Sequence, residues 1–187
     1  TSISRQREGL EVIKSQVKNL TAFLDSYHRL THLPEPEYKT VSVPALFTKL
    51  ERLLQAEPRS ERVVYCDGKA DRSTGKELQV YGDANLLTLA LINLIRNALQ
   101  AVEGQEDGIV RVDTCAGATG HLLITITDNG PGIPPERLSA IFTPFFSTKS
   151  GGSGIGLPIS QRIMQLHGGQ LSVSSIPNVR TEFRMEF

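Results

Sequence analysis

Residues 128–160 constrain this chain more than any other stretch. They read DNGPGIPPERLSAIFTPFFSTKSGGSGIGLPIS. An alternating apolar run (Leu122, Ile124, Ile126) ends at the acidic turn Asp128-Asn129-Gly130-Pro131-Gly132. A short amphipathic piece with Phe142, Phe145 and Phe146 follows. Gly151, Gly152, Gly154 and Gly156 then lead into a helical pattern of Ile155, Leu157, Ile159 and Ile163. A carboxylate at a strand end, followed by a glycine loop that opens a helix, predicts a nucleotide site. Glycines let backbone approach a ligand closely, and a helix N-terminus offers unpaired N–H groups and a positive dipole to phosphate.

Any polyanion must be held by such a local site, because the chain as a whole has no field to offer. Its 20 basic and 20 acidic side chains cancel over 187 residues, which disfavours nucleic acid or an anionic membrane as partner. That length buries one good core with a smaller appendage. Cys66 and Cys115 are too few and too unpatterned for a disulfide framework or a zinc site, and read as reduced, part-buried thiols of a cytoplasmic protein. No apolar run approaches the roughly 20 residues of a membrane span, and no signal peptide is visible. The chain begins inside a helical pattern, which reads as a fragment of a longer parent, membrane-anchored or not.

Residues 1 to about 33 predict one long helix. Leu10, Ile13, Val17, Leu20, Leu24 and Tyr27 form a heptad seam suited to a helical hairpin or dimer bundle, and Pro34 and Pro36 end it. His28 and His32, at i and i+4, read either as metal or phosphoryl sites or as solvated helix-end histidines. Thr40–Pro44 predicts a short strand. A helix follows from Val43 to about Glu57, with Leu46, Leu50, Leu53 and Leu54 on one face and Pro58 as its stop. Strands are expected at 62–66 and 78–81 around a polar turn at 67–76. Asp83 caps a helix from Ala84 to about Val102. A hairpin at 109–115 and 122–127, a helix to about Leu166, and strands near 170–174 and 181–187 complete the pattern. The order predicts an α+β fold: a two-layer sandwich of a mixed, mainly antiparallel sheet with helices on one face, preceded by a long N-terminal helix. The expected division is 1–39 for the appendage and linker and 40–187 for the domain.

Asn93 and Asn97 sit at i and i+4 amid Leu86, Leu89, Ala90, Leu94, Ile95 and Ala98. They read either as satisfied core hydrogen-bonders or as neutral oxygen ligands for Mg²⁺, which takes few protein ligands when phosphates supply the rest. Asp128 reads either as the acceptor of an Asx-turn or as the acceptor for the exocyclic amine of adenine. The three phenylalanines suit core or lid packing. Lys149 is either a solvated loop charge or a phosphate contact.

Together these features are far more specific than any one of them. The chain resembles the ATP-binding domain of sensor histidine kinases, in the superfamily that includes gyrase B, Hsp90 and MutL. Asn93-Leu-Ile-Arg-Asn97-Ala is similar to its N box, Asp128-Asn-Gly-Pro-Gly132-Ile133 to its G1 box, Ile141-Phe-Thr-Pro-Phe-Phe146 to its F box, and Gly152-Ser-Gly-Ile-Gly156-Leu157 to its G2 box. The resemblance covers about residues 40–187 and implies a Bergerat-type fold. Residues 1–39 resemble the second helix of the dimerisation and phosphotransfer hairpin with its exit linker.

The resemblance implies that Asn97 ligates Mg²⁺ bridging the phosphates of ATP and that Asn93 supports the phosphate end. Asp128 reads adenine directly and through a water shared with Thr181, while Gly130, Gly132 and Ile133 line the base pocket. Gly152, Ser153, Gly154, Ile155, Gly156 and Leu157 form the lid and its helix start, with Lys149 at the hinge. Pro158 fits the first helical turn, which has no N–H to lose there. Asn93 and Lys149 join Asn97 as the implied catalytic set. The implied partners are ATP or ADP, a histidine on a phosphotransfer hairpin in cis or in trans, a response regulator's receiver domain, and a second copy in a full-length homodimer.

Departures from the pattern matter too. ATPases of the superfamily carry a glutamate where Asn93 stands, and asparagine cannot act as that base, which favours transfer over hydrolysis. Lys or Arg followed by Tyr is common just after the N box, whereas here Gln100 and Ala101 stand, and Arg180-Thr181 replaces the final Gly-Thr. Neither His28 nor His32 has the acidic neighbour of the phosphoacceptor, so the acceptor is expected upstream. The alternatives are an ATPase or clamp of the same fold, a serine/threonine kinase relative, or a non-catalytic nucleotide-binding module.

Overall fold

The computed structural model describes residues 11, 13–14, 16–17, 21, 24, 27–28, 31–66, 77–116, 121–148 and 152–187. Leu10, Leu20, the turn at 67–76, Lys149 and Gly151 lie outside the described residues. The described positions from Glu11 to Thr31 are helical, and residues 32–38 are irregular, as Pro34 and Pro36 dictate.

Strand β1 (Lys39–Ser42) pairs antiparallel with β3 (Gln79–Gly82), as a small sheet of its own. A single continuous sheet was the expectation. The structure instead separates this pair from five strands in the order β2-β4-β5-β7-β6, where β2 is Val63–Tyr65, β4 Val110–Ala116, β5 Leu122–Asp128, β6 Gln170–Ile176 and β7 Arg180–Glu186. Among the described residues only the β2–β4 pairing in the larger sheet is parallel, so the mixed, mainly antiparallel expectation holds.

Helix α1 (Val43–Leu54) starts where Ser42 accepts a hydrogen bond from the Ala45 N–H and Pro44 occupies the first turn. It buries Val43, Leu46, Leu50 and Leu54. It ends three residues before the predicted Glu57. The residue preceding a proline is driven out of the α region, and the chain tightens instead through Glu57 N–H to Leu54 O at 2.8 Å. Leu53, predicted on the buried face, is 50% exposed on the flank of that stripe.

Helix α2 (Ala84–Ala101) is the pole of the domain, packed against α1, against β4 and β5, and against helix α4 (Gly156–Leu166). Leucines and alanines give it high propensity, and Asp83 caps it by accepting from Asn85 N–H (2.8 Å) and Leu86 N–H (3.0 Å). Because neighbours approach from three sides, Leu87, Leu91, Leu94 and Ile95 have no exposure at all. Leu89 is 39% exposed, so it does not share the buried face predicted for it. A short helix α3 (Pro135–Leu138) follows β5.

The linker is docked. Glu37 N–H donates to Asp83 Oδ2 at 2.8 Å, and the Tyr38 hydroxyl donates to Leu166 O at 2.6 Å. Tyr38 stacks on Tyr81 with centroids 5.9 Å apart and meets His167 edge-on. His167 Nε2 accepts the Asp83 N–H at 2.9 Å, and its Nδ1 lies 2.7 Å from Ile163 O at the end of α4. Since a backbone N–H can only donate, Nε2 is the unprotonated nitrogen and Nδ1–H donates.

Two stability predictions follow from this packing. Leu91→Ala is expected to cost about 2–5 kcal/mol in chemical denaturation, whereas Leu53→Ala should stay within about 0.5 kcal/mol. Asp83 has a lowered pKa: burial pushes it up, but the N–H groups of Glu37, Leu86 and Asn85 outweigh burial and pull it down. Its stabilisation is therefore complete above the unfolded value of about 4 and is lost as pH falls through the depressed folded value. Asp83→Asn should lower stability at neutral pH and flatten the loss of stability below about pH 4, measured by urea unfolding across pH.

Candidate functional site

The period of β5 places the site. Its side chains alternate buried and half-buried from Leu122 to Asp128, so the carboxylate falls on the core face with Ile124 and Ile126. Asp128 is 2% exposed, and its Oδ1 accepts the Gly130 N–H at 2.9 Å. Directly across the β5–β7 pairing stands Thr181, itself 3% exposed. A carboxylate this deep is costly without donors, which explains why a turn N–H is aimed at it.

Above this floor lies a cavity of about 580 Å³. Helix α2 supplies one wall through Asn93 and Asn97, and α4 supplies Gly156 and Leu157. The turn after β5 contributes Gly132 and Ile133, and the glycine loop contributes Gly152, Ser153 and Gly154. Asp128 and Thr181 line the same cavity. Gly130 and Ile155 do not. Gly130 acts on Asp128 from behind: a Cβ there would stand 2.7 Å from the Asp128 Oδ1 and 3.0 Å from Ala101 Cβ. Ile155 is the N-cap residue of α4 and is buried in the core.

Two glycines are required by geometry. Gly132 has φ +73° and would drive a Cβ to 2.7 Å from Ile176 O. Gly154 has φ +65°, and a Cβ there would lie 2.6 Å from the Phe145 carbonyl carbon. Phe145 itself adopts φ +66° and donates its N–H to Gly154 O at 3.0 Å, so the phenylalanine turn and the glycine loop fasten to one another. Phe142 and Phe146 pack against the core, whereas Phe145 is 38% exposed.

The two ends of the cavity differ in chemistry. At one end Asn93 Nδ2 donates to Gly156 O at 3.3 Å, beside the start of α4. Among the described residues no side chain caps that helix, Pro158 sits in its first turn, and Gly156 and Leu157 line the cavity, so the helix start faces it. This end suits an anion. The other end, with Asp128, Thr181 and the Gly132 turn, suits a flat polar ring with an amine to donate. Among the described residues no group of three His, Cys, Asp or Glu side chains could hold a metal ion. The donor set near α4 is amide oxygen, which fits a hard cation that brings phosphate oxygens as its remaining ligands.

Sequence reasoning missed several contributors. Arg96 lines the cavity, and its position three residues after Asn93 on a helix was the available signal. Arg137 and Phe183 also line it, as does Phe146, for which core or lid packing was expected. Ser175 accepts the Ile133 N–H at 2.8 Å and lies 3.1 Å from the Thr181 hydroxyl, a cross-strand arrangement with no local signature. His28 and His32 stack with centroids 4.4 Å apart, exposed and away from the cavity lining. Cys115 is exposed, contrary to the part-buried expectation, because it falls on the outward side of β4. Burial pushes the Cys66 thiol pKa up and Asp113 adds to the rise, which suits an inert thiol. Among the described residues no helix is long and apolar enough to cross a membrane.

Known proteins resemble this chain in sequence and in fold. Over 98 residues, 52% of this chain, the sequence is 43% identical to the sensor histidine kinase ZraS of Salmonella typhimurium, of which that match covers 21%. Over 186 residues, 99% of the chain, it is 30% identical to the signal transduction histidine-protein kinase AtoS of Escherichia coli, of which it covers 29%. The chain therefore spans under a third of these relatives' own length. The nucleotide-free catalytic domain of histidine kinase ThkA superposes with a TM-score of 0.66 at 27% identity, covering 81% of this chain and 95% of that one. Residues 82–187, more than half of the chain and all of the cavity described above, match the family described as "Histidine kinase-, DNA gyrase B-, and HSP90-like ATPase", and the chain belongs to that family.

Proposed function

We propose that this chain is the ATP-binding catalytic region of a sensor histidine kinase, which transfers the γ-phosphoryl of Mg-ATP to a histidine on a phosphotransfer hairpin. Residues 40–187 are the catalytic unit in this reading, and residues 1–39 are the hairpin's second helix with its linker. The observation that carries the reading is the cavity's polarity. A buried carboxylate lies at one end and an uncapped helix N-terminus faces two asparagines at the other.

In this reading Asp128 accepts from the adenine amine, where guanine presents an oxygen that cannot donate. Thr181 shares a bound water with it, held in turn by Ser175, and Gly132 and Ile133 cover the ring. The N–H groups of Gly156 and Leu157 meet the phosphates, and Gly152, Ser153 and Gly154, with Lys149 beyond the described residues, close over them. Asn97 is the amide ligand for Mg²⁺ and Asn93 orients the phosphate end. When bound, that cation neutralises phosphate charge. The chain's own residues position the γ-phosphoryl and exclude water. Neither amide can deprotonate a water, which supports transfer over hydrolysis. The acceptor histidine is contributed in cis or in trans, with a receiver-domain aspartate as the next recipient and a homodimer as the full-length assembly.

A transphosphorylation assay tests this. With γ-labelled ATP, Mg²⁺ and an intact hairpin from the same parent, acid-labile and alkali-stable label should appear on the hairpin with little free phosphate. Free phosphate without labelled hairpin would instead make the chain an ATPase. Asp128→Asn should weaken ATP and ADP binding by about tenfold or more in calorimetry, since a reversed donor faces the base amine. Unchanged binding would remove Asp128 from the site.

A further inference from the structure

We propose that Arg96 is a cation of α2 that engages the polyphosphate in this site, beside the loop that carries Lys149, and that Glu57 holds its guanidinium in place. The proposal rests on the nucleotide reading above and names a residue that reading leaves without a role. Asn93, Arg96, Asn97 and Gln100 stand at i, i+3, i+4 and i+7 of α2, and all four line the cavity. Among the described lining residues the charged ones are Asp128, Arg137 and Arg96. Asp128 repels phosphate. Arg137 lies in α3, directly after the turn that carries Gly132 and Ile133, and not on the helix that carries Asn93 and Asn97.

Arg96 belongs to the other end. Along the helix axis it stands about 4.5 Å from Asn93, and Gln100 stands about 6 Å further toward Ala101. Helix side chains lean toward the helix N-terminus, which carries the Arg96 side chain toward Asn93 and, beside it, Gly156. The guanidinium is oriented: its Nε donates to Glu57 Oε1 at 3.0 Å, and a terminal nitrogen bonds the same oxygen. Glu57 is fixed by the turn that ends α1, through its own N–H to Leu54 O and its carbonyl to Ser60 N–H. The Arg96 side chain remains 52% exposed, so guanidinium donors that the Glu57 contacts do not use can reach a phosphate while that pair stays intact. Gln100, one turn away on the same face, offers no charge. The positive charge of this face stands on the turn before it.

Binding of ATP, ADP and adenosine to the whole chain in Mg²⁺ buffer tests this by calorimetry, with thermal unfolding as the folding control. Arg96→Ala should lower ATP affinity by about tenfold or more while adenosine stays within about twofold, because only the phosphates lose a partner. The salt dependence of ATP binding should become shallower. Adding Gln100→Lys to Arg96→Ala should restore much of the lost ATP affinity, and Arg96→Gln serves if the alanine variant unfolds. Wild-type ATP affinity in the folded arginine variants, or parallel losses for ATP and adenosine, would overturn the assignment while leaving the nucleotide site standing. A wild-type chain that binds none of the three would overturn the nucleotide reading and this proposal with it.

Discussion

The site depends on a carboxylate standing where the alternation of a core strand would put an apolar residue. Leu122, Ile124 and Ile126 commit one face of β5 to the interior, and Asp128 is the next member of that face. Burial of a charge is tolerated there because the chain turns at once and directs the Gly130 N–H onto it. The tightness of that turn then dictates its neighbours. Gly130 has no room for a Cβ between Asp128 and Ala101, and Gly132 is pressed against the β6 backbone with positive φ. Register with β7 delivers Thr181 opposite the carboxylate, and β6 supplies Ser175 to hold both Thr181 and Ile133. One buried acid thus fixes the identity of residues on three strands and a turn.

Helix α2 links that floor to the anion-suited end. It is held by leucines on three sides, so the face that carries Asn93 and Asn97 cannot rotate without disrupting Leu91, Leu94 and Ile95. The contact between Asn93 and Gly156 places the start of α4 against the same face. Rigid packing on one side and an uncapped helix start on the other give a cavity whose two ends keep a fixed separation along α2, about 12 Å from Asn93 to Ala101.

Much of this was legible in the chain because it is encoded locally. The β4–β5 hairpin, the Asp83 cap, α2, and the glycine entry to α4 each carry a pattern within a dozen residues. The asparagine pair and the acidic turn could be named before any coordinates. What was not legible depends on neighbours distant in sequence. The separation of β1 and β3 into their own sheet is a matter of pairing partners, not of strand propensity. Exposure of Leu53 and Leu89 reflects which flanks of α1 and α2 lack a facing element among the described residues, and the early end of α1 reflects the constraint that Pro58 imposes on Glu57. Ser175 reaches the site only through strand register. Arg96 was visible in the helical spacing, but its partner Glu57 is 39 residues away.

The docked linker has a mechanical meaning. Residues 37 and 38 are fastened to the capping acid of α2 and to the last turn of α4, the two helices that wall the cavity. Any displacement of these residues would act on Asp83 and on the Leu166 carbonyl, and the Tyr38 ring would have to leave its contacts with Tyr81 and His167. Undocking would cost a backbone hydrogen bond to a buried carboxylate as well as an aromatic contact. The linker is thus a shared seat of both cavity walls: it bears on the start of one helix and the end of the other through two adjacent residues.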